Sequence, residues 1–418
     1  MRVYGHINRI IGLTIESDGP PAAIGEILRI DDRQNDVPLQ VIGFSGRRVL
    51  SMPLGELTGI YPGQKVFSQG KYPGFSISEE VLGRVLNGLG EPIDGLGDYK
   101  RQHPIQIYHP PTNAMDRRPI SEILASGVRA IDAFATLGKG QRMGIFSGSG
   151  VGKSTLMGMI ARNTSADINV IALVGERGRE LKDFIQNSLG EEGLKRSVLV
   201  TATSDEPPLL KILTAFSATA IAEYFSSQGK DVLLMMDSIT RLAMAQREVG
   251  LSAGEPPSAK GYTPSVFTQM PRLLERAGSF ENKGSITGIY TVLVEGDDVT
   301  EPVSDHARSI LDGHILLSRD IAHKNQFPAI DVLGSISRLM NDIATPEHKK
   351  AAGQIRELLA VYRDAEDLVN IGAYVKGTNA KIDLALEKIE AILGFLAQGV
   401  GEKVTLAQTV KQLQEIIP

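Results

Sequence analysis

The stretch that decides the fold is Ser147-Gly148-Ser149-Gly150-Val151-Gly152-Lys153-Ser154, with Thr155 directly after it. It follows an apolar run, Met143–Phe146, and it opens a stretch of helical character, Thr155–Arg162. A strand, a glycine-rich turn and a helix in this order form the setting in which a P-loop binds phosphate. The glycines let successive backbone N–H groups point at one anion, and the helix N-terminus adds partial positive charge. Residues 148–155 are therefore predicted to bind a nucleotide.

Two side chains in this stretch carry the chemistry of a nucleoside triphosphate site. Lys153 has the length to reach the β- and γ-phosphates, and the Ser154 hydroxyl is placed to ligate Mg²⁺. The usual pattern begins with glycine where this chain has Ser147, but that position borders the loop and does not cradle phosphate. An ordinary glycine-rich turn is the alternative interpretation, and the flanking strand and helix argue against it. ATP as substrate and Mg²⁺ as cofactor are the resulting expectations.

Outward from this loop, residues 121–345 alternate short apolar runs with longer helical stretches. The runs lack period-two alternation, and they are Met143–Phe146, Ile168–Val174, Val198–Val200, Val232–Met236 and Ile286–Val294. Continuous apolar runs are typical of parallel strands that are buried on both faces. Alternation with helices predicts βαβ units and a doubly wound parallel sheet. The fold class is therefore α/β with a P-loop NTPase core.

The flanking regions have different patterns. Residues 1–73 hold short Val/Ile/Leu runs broken by turns, which predicts a small β-barrel or a sandwich. Residues 74–120 are rich in Gly and Pro and are expected to form a connector of turns. Residues 346–418 show helical periodicity, and Thr405 with Gln408 forms a capping-box pattern at the start of the last helix. We therefore expect an N-terminal β-barrel, a connector, a nucleotide-binding domain and a C-terminal helical domain.

Acidic residues follow two of the predicted buried strands. Asp237 ends the run Val232–Met236, at the edge of an α/β sheet where ligands bind, and it suits the carboxylate that orients the water ligands of Mg²⁺. Glu176 follows Ile168–Val174 and is the candidate base for the attacking water. Arg177 is the candidate cation for the γ-phosphoryl charge, and Glu180 for a further Mg²⁺-bound water. By spacing alone, a surface ion-pair cluster in residues 175–180 is nearly as good an interpretation, and the alternative for Glu180 is a bond to the following helix.

Composition excludes several classes of protein. The formal net charge of −5 argues against a sequence-blind nucleic-acid binder, so no nucleic-acid partner is expected. The absence of Cys excludes thiolate zinc sites and disulfide scaffolds. The acidic stretch Gly296-Asp297-Asp298 with Glu301 favours a helix-capping loop over a metal site. Apolar runs are too short to span a bilayer and the start lacks a signal-peptide core, so any membrane role should be peripheral.

Several longer motifs resemble the catalytic subunits of rotary ATP synthases and, within that superfamily, most closely the flagellar and type III secretion export ATPases. The motifs are GSGVGKS (148–154), GERGRE (175–180), DSITRLAMAQREVGLSAGEPPSAKGY (237–262) and PAIDVLGSIS (328–337). The resemblance runs from about residue 3 to about residue 400. The segment FPAIDVLGSISRLM (327–340) tilts the resemblance modestly towards the flagellar group.

The resemblance implies a homohexameric ring that hydrolyses ATP to power protein export. By motif, Glu176 is similar to the catalytic glutamate and Arg338 to an arginine finger supplied to the neighbouring copy. Phe327 resembles the aromatic residue that stacks on adenine, and Tyr374 is expected to pack against the base from the C-terminal domain. Because one chain carries both Glu176 and Arg338, identical chains suffice to build complete sites.

The resemblance also implies partners and a location. They are a dimeric stator-type regulator, a central stalk protein, an export gate at the membrane, and exported substrates with their chaperones. Because the barrel pattern begins almost at Met1, the N-terminal extension that binds the regulator in this family is expected to be short or missing. The chain is expected in the cytoplasm, peripheral to the inner face of the cell membrane.

Two other functions stay open at this level. An RNA-dependent ring helicase of the transcription-termination type has a similar core, but it needs an N-terminal domain with clustered aromatics, which residues 1–73 lack. A regulatory subunit that holds ATP without hydrolysing it is the third hypothesis. Glu176 argues against that hypothesis, because a silent site has no need of a water-activating carboxylate.

Overall fold

The computed structural model describes residues 3–31, 37–294 and 300–417. The capping loop expected at Gly296, Asp297 and Asp298 lies outside these residues. Among the described residues, no helix combines the length and the apolar character that crossing a bilayer would require.

The N-terminal region closes into a barrel, which resolves the choice between barrel and sandwich. Its strands pair in the order β1-β2-β5-β4-β3-β6, and β6 returns to β1. Alternate residues such as Ile7, Leu28 and Val41 fill the interior, as the period-two geometry of a strand requires. The strands are β1 (Tyr4–Ile11), β2 (Thr14–Ser17), β3 (Ile27–Ile30), β4 (Pro38–Ser45), β5 (Arg48–Pro53) and β6 (Lys65–Ser68).

The segment that follows the barrel contains short strands as well as the expected turns. They are β7 (Gly74–Ile77), β8 (Val85–Asn87), β9 (His103–Gln106), β10 (Ile123–Leu124) and β11 (Leu137–Gly138), and helix α1 (Arg129–Phe134) lies between the last two. β7 pairs with β9, and β10 pairs with β11, both antiparallel. β8 instead joins the edge of the central sheet, because Val85 and Leu86 are buried there.

The central sheet has the order β19-β18-β12-β17-β15-β13-β14-β8, with β16 paired to β17. Each of the five apolar runs identified in the sequence forms a strand of this sheet. The strands are β12 (Arg142–Ser147), β13 (Ile168–Glu176), β14 (Ser197–Thr203), β15 (Val232–Asp237), β16 (Gly278–Ser279), β17 (Ser285–Leu293), β18 (Gly313–Leu317) and β19 (Ile330–Ser337).

The sheet is mixed and mostly parallel, which confirms the expected α/β core with a parallel sheet. β18 runs parallel to β12, but β19 is antiparallel to β18. In β18 and β19 buried residues alternate with partly exposed ones, and Ile336 of β19 is exposed. That period-two pattern is typical of a strand with one face towards solvent. An antiparallel edge strand of this kind is common on an otherwise parallel sheet.

Helices cover both faces of the sheet, as a doubly wound fold requires. Val170 and Leu234 face the helices α5 to α8, whereas Ile171 and Leu233 face α1, α2 and the C-terminal helices. The helices of this domain are α2 (Lys153–Asn163), α3 (Gly178–Asp183), α4 (Gly190–Lys195), α5 (Pro208–Ser227), α6 (Ile239–Ser252), α7 (Pro264–Leu274), α8 (Pro302–Ile310), α9 (Arg319–His323) and α10 (Met340–Ile343). A π-helical segment, 184–189, joins α3 to α4.

The C-terminal region consists of the helices α11 (Pro346–Asn370), α12 (Ala380–Leu396) and α13 (Leu406–Ile416). The capping box predicted at the start of the last helix is present, with both reciprocal bonds between Thr405 and Gln408. Ile355, Ile392 and Leu413 pack into the same core as α1 and α2. The helical domain therefore rests directly on the side of the sheet that carries the P-loop helix.

Candidate active site

The P-loop connects β12 to α2 at the carboxyl edge of the sheet. Gly150 and Gly152 have φ angles of 80° and 88°, in the left-handed region that glycine adopts without strain. Between them Val151 is buried and anchors the loop. Ser149 and Gly150 are exposed, and so are Ser154 and Thr155 in the first turn of α2. The loop is thus anchored by the buried Val151, and its exposed residues are accessible to an anion.

Gly148, the first glycine of this loop, lies against an arginine that the sequence analysis did not identify. A Cβ at Gly148 would lie 2.6 Å from Nη2 of Arg319, at the start of α9. Any side chain at position 148 would therefore displace the Arg319 guanidinium. Glycine is therefore required at position 148 for a steric reason that is independent of phosphate binding. The same close approach brings the Arg319 guanidinium to the loop.

Lys153 and Asp237, predicted from separate motifs, meet in the structure. The Lys153 ammonium lies 2.5 Å from Asp237 Oδ1. The Thr291 hydroxyl on β17 donates to the same oxygen at 2.7 Å. Asp237 is buried at the end of β15, and Thr291 of the neighbouring strand β17 and Lys153 of α2 fix its carboxylate. Thr291 is a second residue that sequence patterns did not reveal.

Glu176 occupies the end of β13, beside the same lysine. Its Oε1 lies 3.8 Å from Lys153 Nζ and 3.3 Å from Nε of Arg241. Arg241 is in the first turn of α6, four residues after Asp237, and packs over Gly175. Arg241 could have been identified from the sequence, because it lies in the first turn of the helix that follows the carboxylate of Asp237. Glu176 is thus buried and lies between two cations.

The pKa of Glu176 is raised from that of an ordinary glutamate to the neutral range. Burial, a hydrogen bond with Glu180 and the nearby Asp237 raise the pKa of Glu176 to about 7, although Lys153 and Arg241 oppose the shift. The same hydrogen bond lowers the pKa of Glu180. A carboxylate with a pKa near neutral pH is suited to accept a proton from water.

Arg177 and Glu180 lie at the outer side of this site. Both side chains are more than half exposed, and Arg177 Nη1 pairs with Glu180 Oε1 at 3.9 Å. The surface ion pair that spacing alone suggested is therefore present, and it adjoins Glu176 through Glu180. The guanidinium closest to Glu176 among the described ion pairs is that of Arg241.

The two aromatic candidates lie in different surroundings. Phe327 is 44% exposed, and its ring Cδ1 lies 3.8 Å from the position that a Cβ on Gly152 would take. Its carbonyl accepts a hydrogen bond from the Gln398 N–H in the C-terminal region. Tyr374 lies between α11 and α12, where its hydroxyl donates to Asp383 Oδ1 at 2.9 Å. The ring beside the P-loop is thus that of Phe327.

Arg338 is exposed and lies at the opposite end of the sheet from the P-loop of its own chain. It follows β19, whose last residue, Ser337, is opposite Gly313 of β18. The next residue of β18, His314, is opposite Gly144 near the start of β12. From there to the P-loop the strand adds roughly 3.3 Å per residue, or more than ~10 Å in all. Within one chain, Arg338 and Lys153 therefore face different edges.

Comparison with known protein families covers all three regions of the chain. The nucleotide-binding domain of the ATP synthase alpha/beta family matches residues 127–337. The beta-barrel domain of the same family matches residues 7–70, and the T3SS EscN ATPase C-terminal domain matches residues 344–415.

Similar proteins match this chain almost from end to end. A flagellum-specific ATP synthase of Bacillus subtilis is 51% identical over 99% of this chain and 95% of its own length. A type 3 secretion system ATPase of Xanthomonas euvesicatoria is 48% identical over 99% and 94%. The assembled ATPase EscN of the enteropathogenic E. coli type III secretion system has 43% identity and a TM-score of 0.93, over 99% of this chain and 100% of its own. The chain therefore belongs to the ATP synthase alpha/beta family, among the flagellum-specific and type III secretion ATPases.

Proposed function

We propose that this chain is a Mg²⁺-dependent ATPase that energises protein export through a flagellar or related type III apparatus, working as a ring of six copies. The observation that carries the ring is the separation of Arg338 from the P-loop. Lys153, Asp237 and Glu176 gather at one edge of the sheet, and the exposed Arg338 faces the other. An arginine finger at that position can serve only the site of an adjacent copy. The two alternatives, a helicase and a silent subunit, have no observation in their favour.

Within this proposal, the P-loop residues from Gly148 to Thr155 bind the phosphates. Their backbone N–H groups and the start of α2 favour an anion, and the Lys153 ammonium adds a positive charge. Phe327 stacks on the adenine, because its exposed ring lies beside Gly152. Tyr374 is the candidate for a second contact with the base from the helical domain. The division of the chain at residues 73, 120 and 345 belongs to the same proposal.

The oxygen ligands near Lys153 fit Mg²⁺. Ser154 offers a hydroxyl in the first turn of α2, and Asp237 a carboxylate that Thr291 and Lys153 hold in place. Hydroxyl and carboxylate oxygens are the hard donors that Mg²⁺ prefers, usually with several retained waters. Glu180 is the candidate for orienting one of those waters. When bound, Mg²⁺ would neutralise charge on the β- and γ-phosphates.

Glu176 is proposed to orient and deprotonate the attacking water. Its carboxylate lies near the Lys153 ammonium, so the base and the phosphate-binding cation occupy the same pocket. As the γ-phosphoryl leaves, Arg338 of the adjacent copy stabilises the developing charge, and Arg177 and Arg241 add positive charge on the Glu176 side. A single copy lacks the finger and should hydrolyse ATP poorly.

The partners follow from the family and are part of the proposal. The E. coli ATPase EscN has been solved in complex with its central stalk EscO, and that structure is 42% identical to this chain with a TM-score of 0.92. For this chain we propose a comparable stalk protein, a dimeric stator-type regulator, an export gate, and exported substrates with chaperones. It would act at the inner face of the cell membrane.

Mixing two inactive variants tests the shared site. A Lys153→Ala chain lacks the P-loop lysine but keeps its finger, and an Arg338→Ala chain has the opposite defect. When equal amounts of the two chains mix at random, roughly a quarter of the interfaces pair the intact P-loop of one variant with the intact finger of the other, so activity should return to about that fraction of wild type. Steady-state ATPase rates, with mass measurement of the rings, give the readout. A mixture no more active than its components would contradict the proposal.

The raised pKa of Glu176 predicts a pH dependence of turnover. Because the base acts in its deprotonated form, kcat/KM for ATP should rise with pH and level off above an apparent pKa of about 7. Glu180→Gln removes one cause of the raised pKa, so the inflexion should move to lower pH. Initial rates between about pH 6 and about pH 8 measure both profiles. A profile that is flat across this range would count against Glu176 as the base.

The position of Phe327 predicts a role in nucleotide affinity. Phe327→Ala should raise KM for ATP roughly tenfold, because stacking of a base on an aromatic side chain contributes about 1–3 kcal/mol. Phe327→Tyr keeps the ring and should leave KM close to that of the wild type. Steady-state kinetics on both variants make the comparison. An unchanged KM in the alanine variant would remove Phe327 from the base-binding site.

A further inference from the structure

The backbone around Arg338 is held by residues at the start of β12. The Arg338 N–H donates to the Asp312 carbonyl at 3.0 Å. The Gln141 side-chain amide donates to that same carbonyl at 3.2 Å and to the Ser337 hydroxyl at 3.0 Å. Ser337 in turn donates to the Thr136 carbonyl at 2.8 Å. Ser337, which precedes Arg338, and Asp312, which accepts the Arg338 N–H, are therefore both bound to Gln141 in the turn that leads into β12.

Arg142 fixes the other side of the same region. Its Nε and Nη2 donate to the two carboxylate oxygens of Asp312, each at 3.1 Å, and its backbone N–H donates to Oδ2 at 3.0 Å. A guanidinium that binds both oxygens of a carboxylate fixes direction as well as distance. The remaining Nη1 bonds to Glu275 at the end of α7. Asp312 thus receives three bonds from one residue.

The residues that hold the Arg338 backbone are largely buried. Gln141 is fully buried, and the side chains of Arg142 and Asp312 are 16% and 25% exposed. Arg338 itself is exposed. A long arginine side chain has many rotamers, so a fixed backbone narrows the volume that its guanidinium explores. Placement to within about 1 Å matters for catalytic groups.

We propose that Gln141 and Arg142 are positioning residues for the Arg338 finger, acting through Asp312 and Ser337. This inference rests on the proposed function, because it needs Arg338 to serve the neighbouring site. Gln141 and Arg142 touch no nucleotide of their own chain, since they lie at the opposite end of β12 from the P-loop. Their effect should appear only in the copy that supplies the finger.

Arg142→Gln tests the inference, because it keeps a polar side chain but removes the two-point contact with Asp312. In rings of this variant alone, kcat should fall roughly tenfold to a hundredfold, the range for a misplaced catalytic group, with KM for ATP unchanged. Arg142→Lys keeps the charge but not the paired geometry, and should restore part of the rate. A fall in affinity without a fall in kcat would overturn the inference.

Mixed rings show which copy needs Arg142. In the first arrangement, Arg142→Gln is added to the Lys153→Ala chain, which donates the finger, and this double variant is mixed with Arg338→Ala chains. The recovered activity should then fall by the same factor as kcat falls in rings of Arg142→Gln alone. In the second arrangement, Arg142→Gln is added to the Arg338→Ala chain, which is mixed with Lys153→Ala donors. The recovered activity should then be unchanged. Equal losses in both arrangements, or none in the first, would overturn the inference. Failure of the unmodified pair to recover would overturn the shared site, and this inference with it.

Discussion

An Arg338→Ala ring is expected to hydrolyse ATP about 10³–10⁵ times more slowly than the wild type, the range measured for the loss of an arginine finger. The reason is electrostatic, because the guanidinium acts on charge that develops only in the transition state. Binding of ATP at Lys153 should persist, so KM should change little while kcat collapses. Steady-state kinetics and equilibrium binding of an ATP analogue separate the two quantities.

Two further variants make the Arg338 result specific. Arg338→Lys keeps a positive charge without the planar fork and should recover only a small part of the rate. Arg48→Ala removes an exposed arginine from β5 of the barrel, together with its ion pair to Glu16, and should leave turnover near the wild-type value. Wild-type turnover in Arg338→Ala would rule out the finger.

Replacement of Glu176 by glutamine should lower kcat by about 10²–10⁴, the usual contribution of a positioned base. Glutamine keeps the shape and the hydrogen-bonding length of the side chain but cannot accept the proton of the attacking water. It also removes a negative charge near Lys153, so nucleotide binding should be retained or strengthened. Single-turnover hydrolysis, with binding measured in parallel, distinguishes slow chemistry from weak affinity.

Glu192→Gln is the matched control for Glu176→Gln. Glu192 lies on α4 with an exposed side chain, and its ion pair with Lys195 is on the surface. Exposed pairs of this kind contribute little to stability because water and salt screen them, so both folding and turnover should stay close to the wild type. Glu176→Gln activity equal to that of this control would assign Glu176 a structural role only.

The features that could be predicted from the sequence are those with a local physical signal. The glycines and lysine of residues 148–153 specify a turn and a charge within a few positions. The buried strands are marked by unbroken apolar runs, and the start of α13 by the reciprocal pattern of Thr405 and Gln408. Asp237 could be placed because the end of a buried parallel strand is a known position in the fold.

The features that could not be predicted depend on contacts between distant segments. β8 is only three residues long, and its place in the sheet depends on the edge that β14 offers. Thr291 and Arg319 reach the site only because β17 and α9 pack beside β12 and its loop. The antiparallel direction of β19 likewise follows from tertiary pairing. Only Arg241, four residues beyond Asp237, had a short-range signal in the sequence.

The strand β12 has a mechanical consequence for a working assembly. At one end β12 leads into the P-loop, and at the other its Arg142 binds Asp312, whose carbonyl accepts the N–H of Arg338, the arginine that we propose to serve the next copy. In the proposed ring, the distance between a subunit's own P-loop and the arginine that it supplies is set largely by this buried strand. In the proposed ring, a rotation of one subunit that opens its own site would therefore also displace the arginine that it supplies to the next copy.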